Sequence, residues 1–283
     1  MKKLIILLGI LLPSLGFSQA KKPYSRKGQG FIYWGYNRST YAKSDIRFVG
    51  QGYDFTLHDV VAKDAPTPFG KEYYDPALFS IPQFNFRGGY FFNDHWAISI
   101  GWDHMKYVMV NDQQSTISGT ISAQVSNPAI QVNPAYVGTF DRKPIQVNSS
   151  DFLTFEHTDG FNFASVDIER FDRIWKAKND VQGLDWLVGA SIGAIVPRSD
   201  VRLFTVGKNN YWNVAGYGMA LKAGLQFDIS RRIFLRNDIK GGFARLNDIR
   251  TTGRDGDYAQ QSIWYLEDYF VLGVTIGGGK KNK

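Results

Sequence analysis

The chain has no cysteine among its 283 residues. That excludes disulfides, thiolate metal sites, a cysteine nucleophile and a lipidated N-terminus. After the first twenty residues it also lacks any apolar run approaching the roughly 20 residues that a membrane-crossing helix needs. It carries no phosphate loop, dinucleotide fingerprint or internal repeat, and the glycines at 277–279 read as a strand end and tail. Histidine is scarce, with four residues. A nucleic-acid partner is not expected despite the net charge of +7. Setting aside Lys2 and Lys3, and the seven basic residues Lys21, Lys22, Arg26, Lys27, Lys280, Lys281 and Lys283, takes +7 to −2. The basic excess belongs to the ends.

Residues 1–20 have the form of an export signal: Lys2 and Lys3, a short apolar run over 4–12, then Ser18 and Ala20 at the small-residue positions. Residues 21–29 and 279–283 read as basic tails that are solvated or meet anionic lipid headgroups.

What the chain has in abundance is alternation. Tyr217, Met219, Leu221, Ala223, Leu225, Phe227 and Ile229 form an apolar row, with Gly218, Ala220, Lys222, Gly224, Gln226 and Asp228 between them. After a short turn, Ile233, Leu235, Ile239 and Phe243 resume the row. Period two over this length predicts two long strands joined by a tight turn. They run well past the usual 5–6 residues of a soluble strand and suit a tilted bilayer crossing. Similar rows recur over 83–92, 96–109, 186–196 and 264–276; 30–41 and 161–176 have blurred phase. Aromatic residues are plentiful enough for girdles at both membrane boundaries.

Short connections at 93–95, 178–183 and 230–232 alternate with longer ones at 41–81, 111–159, 204–210 and 252–259. Three turns and four loops predict an all-β, transmembrane, up-and-down antiparallel barrel of eight strands over 30–278, with both termini periplasmic. Residues 45–61 read as a hairpin extension of the first external loop; if they cross the membrane, the count becomes ten.

The segments Tyr36-Asn37-Arg38, Gly52-Tyr53-Asp54-Phe55-Thr56-Leu57, Asp103-His104-Met105-Lys106-Tyr107 and Glu156-His157-Thr158-Asp159-Gly160 carry a resemblance to an outer-membrane β-barrel family of the Bacteroidota type, mostly of unassigned function. The resemblance spans essentially the whole mature chain. It implies a Gram-negative outer-membrane location and insertion by the barrel assembly machinery among lipids and lipopolysaccharide. Many eight-stranded barrels end on an aromatic residue; this chain ends on glycines and lysines.

Two residue sets could carry function. Alternation turns Arg87, Lys222, Arg236 and Lys240 inward together with Asp103, Asp167, Glu169, Asp238 and Glu267. Eight strands leave an interior just wide enough for side chains. The expectation is a salt-bridged, filled lumen, because an isolated buried charge is very costly; a narrow ion path is the alternative. The second set is Asp103, His104, Glu156 and His157 near the external rim. A lipid or lipopolysaccharide hydrolase could draw a base and an orienting acid from it, with Thr158 or Ser165 as hydroxyl. Alternation points Asp103 inward and His104 outward, and rim hydrogen bonding is the plainer reading. No metal-ligand spacing or cofactor motif stands out. The expected role is non-enzymatic: long external loops serving structure, adhesion, or binding of a surface ligand or protein partner.

Overall fold

The computed structural model describes residues 25–277 except 76, 79, 80, 179, 180 and 208–210. The export segment and the lysine-rich C-terminal tail lie outside the described residues.

Twelve strands of substance occur: β1 (Gly30–Tyr41), β2 (Ser44–Gly50), β3 (Tyr53–Val60), β4 (Phe84–Phe91), β5 (Trp96–Met109), β6 (Gln114–Ile121), β7 (Gly138–Gln146), β8 (Leu153–Lys176), β9 (Gly183–Leu203), β10 (Gly216–Asp228), β11 (Ile233–Arg250) and β12 (Tyr258–Ile276). Among the described residues the only helical elements are two single 3₁₀ turns. Eight strands close a ring, β1-β4-β5-β8-β9-β10-β11-β12, sealed by β1 against β12. Every pairing in the ring is antiparallel between strands adjacent in the membrane order. The chain is therefore an eight-stranded up-and-down barrel.

Paired residues followed round the ring lead from Asp172 through Trp186, Leu225, Asn237, Phe270, Tyr36, Phe84 and His104 to Asn162, back on β8. That stagger, from 172 to 162, tilts the strands by about 40°. The outer face presents a belt that a water-soluble protein would not expose: Ile100, Ile192, Leu221 and Trp264 are each 64–71% accessible, and Leu272, Phe270 and Ile239 lie in the same belt. These rows face lipid.

The segment 45–61 does not cross the membrane. It forms the hairpin β2–β3, and the other edge of β2 pairs with the external end of β12, Tyr258–Gln261. β6 adds to β3, and β7 to β6, so the barrel wall continues outward as a curved sheet, β12-β2-β3-β6-β7. The stretch 111–159, read from sequence as a loop, thus supplies two strands and the first residues of a third. β8 begins at Leu153 rather than near 161, and its register shifts between His157 and Phe161. β9 runs through Pro197, which pairs opposite Phe161 at that irregularity, where a missing N–H is tolerated.

The polarity of the wall inverts above the lipid belt. On β11 the inward residues Arg236, Asp238 and Lys240 give way to Ala244, Leu246 and Ile249, while the outward row passes from Ile239 and Phe243 to Arg245 and Asn247. β12 repeats this, with Glu267 inward below and Ile263 and Ala259 inward above. Below, apolar groups face lipid; above, they face an interior core while polar groups meet water. The core of the external lobe contains Ile46, Phe48, Phe55, Leu57, Ile117, Phe155 and Leu203.

Candidate functional site

All nine inward charges are buried, none more than 4% exposed. They form one connected set. Arg87 reaches Asp167 at 2.6 Å and Asp103 at 3.5 Å. Lys222 bridges Asp167 at 2.5 Å and Glu169 at 2.9 Å. Arg236 joins Glu169 at 2.6 Å to Asp238 at 2.5 Å. Lys240 contacts Asp103 directly and lies 3.4 Å from Glu267.

Neutral groups complete the set, and alternation alone gave them no role. Asn85 donates from Nδ2 to Asp103 at 2.9 Å and to Glu267 at 2.8 Å. Ser99 donates to Glu169 at 2.7 Å, and Tyr269 to Asp238 at 2.6 Å. Ser165 accepts from Arg87 at 2.9 Å and donates to Asp167 at the same distance. Small residues make room for the long ones. A Cβ on Gly101 would stand 2.8 Å from the Arg87 guanidinium carbon, and one on Gly189 2.9 Å from Lys222 Cε.

Apolar layers lie on both sides of the charges. Toward the end of the barrel with the short turns, Phe31, Tyr33, Phe91, Phe171, Phe234 and Val271 cluster, with the Arg236 guanidinium 5.2 Å from the Tyr33 ring centre. On the external side, Met105, Tyr107, Phe161, Phe163 and Tyr265 merge into the core of the lobe. A further group occupies the barrel mouth at the end of the short turns. Arg26 is 7% exposed, pairs with Asp185 and lies 5.7 Å from the Phe91 ring centre. Asp185 is shared with Arg173 at 2.7 Å, and Arg173 also holds Asp228 at 2.5 Å. Asp94 accepts from the backbone N–H groups of Arg26 and Lys27. Arg26, grouped by sequence with a solvated tail, is thus a peg in the barrel mouth.

The rim set does not assemble. Asp103 belongs to the lumen, whereas His104 faces outward, stacked on Phe84 with its Nδ1 2.7 Å from Asn162 Oδ1. His157 is fully buried among Tyr107, Phe155 and Phe161. Its Nδ1 lies 2.9 Å from Ser199 Oγ, and its Nε2 has no hydrogen-bond partner. Burial pushes this imidazole down to about 3, so it is neutral at ordinary pH. Glu156 accepts from Thr158 Oγ1 at 3.2 Å; burial raises its carboxyl above the usual range, with Asp200 and Asp159 adding to the effect. Ser165 is deep in the lumen. The hydroxyl that contacts His157 is that of Ser199, and this pair has neither an orienting carboxylate nor contact with solvent.

No family model matches the chain, and no curated protein matches it. Among solved structures it is similar to the outer membrane protein OprG of Pseudomonas aeruginosa, at 7% identity over 89% of this chain and 98% of that one, with a TM-score of 0.40. It is also similar to the attachment invasion locus protein Ail of Yersinia pestis, at 14% identity over 87% and 99%, TM-score 0.28. The outer membrane protease OmpT of Escherichia coli matches at 7% identity over 90% and 98%, TM-score 0.25. The likeness is one of overall barrel architecture.

Proposed function

We propose that this chain is a non-enzymatic barrel of a Gram-negative outer membrane, sealed along its lumen, whose working part is the external lobe. The lobe presents a surface to a ligand or protein partner outside the cell. The observation that carries this reading is the sheet β12-β2-β3-β6-β7 with its own buried core. Ordering backbone costs about 1–2 kcal/mol per residue. A lobe packed around Phe48, Phe55, Leu57 and Phe155 offsets that cost and holds its outer face in one shape, as a recognition surface requires. In this reading the export signal delivers the chain, the assembly machinery inserts it, and lipopolysaccharide surrounds it. The membership suggested by its sequence segments belongs to the same proposal.

Two measurements test it. In planar bilayers the intact protein should show no steady conductance of porin size; such a conductance would overturn the sealed lumen. Deleting 115–148 removes β6 and β7 and leaves the eight ring strands. The shortened protein should still insert and show the heat-dependent gel shift of a barrel, while losing adhesion of expressing cells to extracellular matrix. If adhesion is unchanged and only protease resistance falls, the lobe is a shield and the binding role is wrong.

A further inference from the structure

β4 is the shortest of the eight ring strands. Its eight residues extend about 26 Å at roughly 3.3 Å per residue. At a tilt near 40° they rise about 20 Å, against an apolar band of about 25 Å. β1 and β5 run on outward beyond the end of β4. The segment 64–83 lies there. Asn37 N–H donates to Gln83 O at 3.3 Å, and Ser39 N–H to Asp64 at 3.3 Å, so the segment covers the edge of β1 where β4 has ended. Asp64 also holds Arg38 at 2.7 Å. Lys106 of β5 donates to Thr67 at 3.0 Å.

The segment is tied to the lipid-facing row itself. Tyr36, outward on β1, donates to Tyr73 O at 2.7 Å, and the two rings pack at 4.7 Å. Tyr73 OH donates to Thr67 O at 2.7 Å, and Phe69 stacks on the Tyr73 ring at 5.4 Å. The other face of Phe69 is open: the residue is 87% exposed, Tyr74 is 73% and Ile81 46%. Backbone groups of the segment bond within it, Tyr74 N–H to Lys71 O, Leu78 N–H to Asp75 O and Ile81 N–H to Leu78 O. Such internal pairing is what an irregular segment needs at a lipid boundary.

We infer that the described residues of 64–83 are seated in the outer leaflet, with Phe69 and Tyr74 inserted among lipid acyl chains. The occupant of this surface is lipid, because the patch is joined through Tyr73 and Tyr36 to the outward, lipid-facing row of β1 and lies beside the outer end of β4. This goes beyond the proposed role of the lobe and stands independently of it.

The absence of cysteine allows a direct test. Single Phe69→Cys and Tyr74→Cys variants carry a nitroxide label and are reconstituted in phosphatidylethanolamine–phosphatidylglycerol vesicles. Leu221→Cys, on the lipid belt, and Lys143→Cys, on β7, serve as references. Oxygen, which concentrates in the bilayer, should relax the labels at 69 and 74 more than a water-soluble nickel complex does, as at 221. A nickel-dominated response like that at 143 would overturn the inference. So would exclusion of both reagents, since another protein surface would then cover the patch. The gel shift of each labelled variant confirms that the barrel compared is folded.

Discussion

His157 has the residue type of a catalytic base and the surroundings of a packing residue. Its ring lies 5.1 Å from Phe155 and 6.1 Å from Phe161, centre to centre, and burial holds its ionisation near pH 3. In the unfolded chain a histidine titrates near pH 6.5. Between these values the unfolded state binds the extra proton, so stability rises with pH there. The contribution is complete above about pH 6.5 and is lost as pH falls toward 3, at about 1.4 kcal/mol per unit. Urea unfolding in vesicles should show that slope in the intact protein, and His157→Phe should flatten it by about that amount. Identical pH profiles would mean that the imidazole titrates normally in the folded protein. The inward charges could be read from alternation because each sits on a polar row within the lipid belt. The burial of His157 could not, because above the belt the inward row is apolar and the rule that places polar residues inside no longer applies.

At the scale of the element, the external sheet ends on β7, which pairs only with β6 among the described residues. An open edge of this kind invites pairing with another chain. The edge is blunted: its register shifts between Phe140 and Lys143, Arg142 takes a φ of 45°, and Pro144 cannot donate to a neighbour. Replacing Arg142, Lys143 and Pro144 together by Thr, Thr and Val should let copies associate through this edge. Chemical cross-linking in detergent should then show dimers at concentrations where the parent is monomeric. If the triple variant stays monomeric, these residues do not protect the edge. The hairpin itself was only partly legible in sequence, because Ile117, Ile121 and other apolar residues are widely spaced among Ser, Asn and Gln. Their common face becomes apparent only when β3 lies beside them.

For the whole molecule, the lumen is occupied in successive layers: the Arg26 peg with Asp185 and Arg173, the Phe31–Phe171 cluster, the charge set, and the aromatic core above it. Opening one layer leaves the others. Arg26→Ala should therefore give no steady conductance in a planar bilayer, while lowering the urea midpoint because Asp185 loses a buried partner. A stable open level in this variant would show that the peg alone closes the barrel.

By itself the sequence determined most of the lipid-facing rows, the barrel with eight crossings as its first reading, the alternation of short and long connections, and the inward charges. Each follows from a local period of two or from the length of a connection, and lipid imposes that pattern residue by residue. Tertiary structure decided who meets whom. Lys240 finds Asp103 across 137 positions, and Asn85 finds Glu267 across 182, because ring closure and its stagger bring distant rows to one height. The same closure gives β2 a place beside β12 and admits Arg26 to the barrel mouth. None of these partners lies within the few residues over which alternation is written.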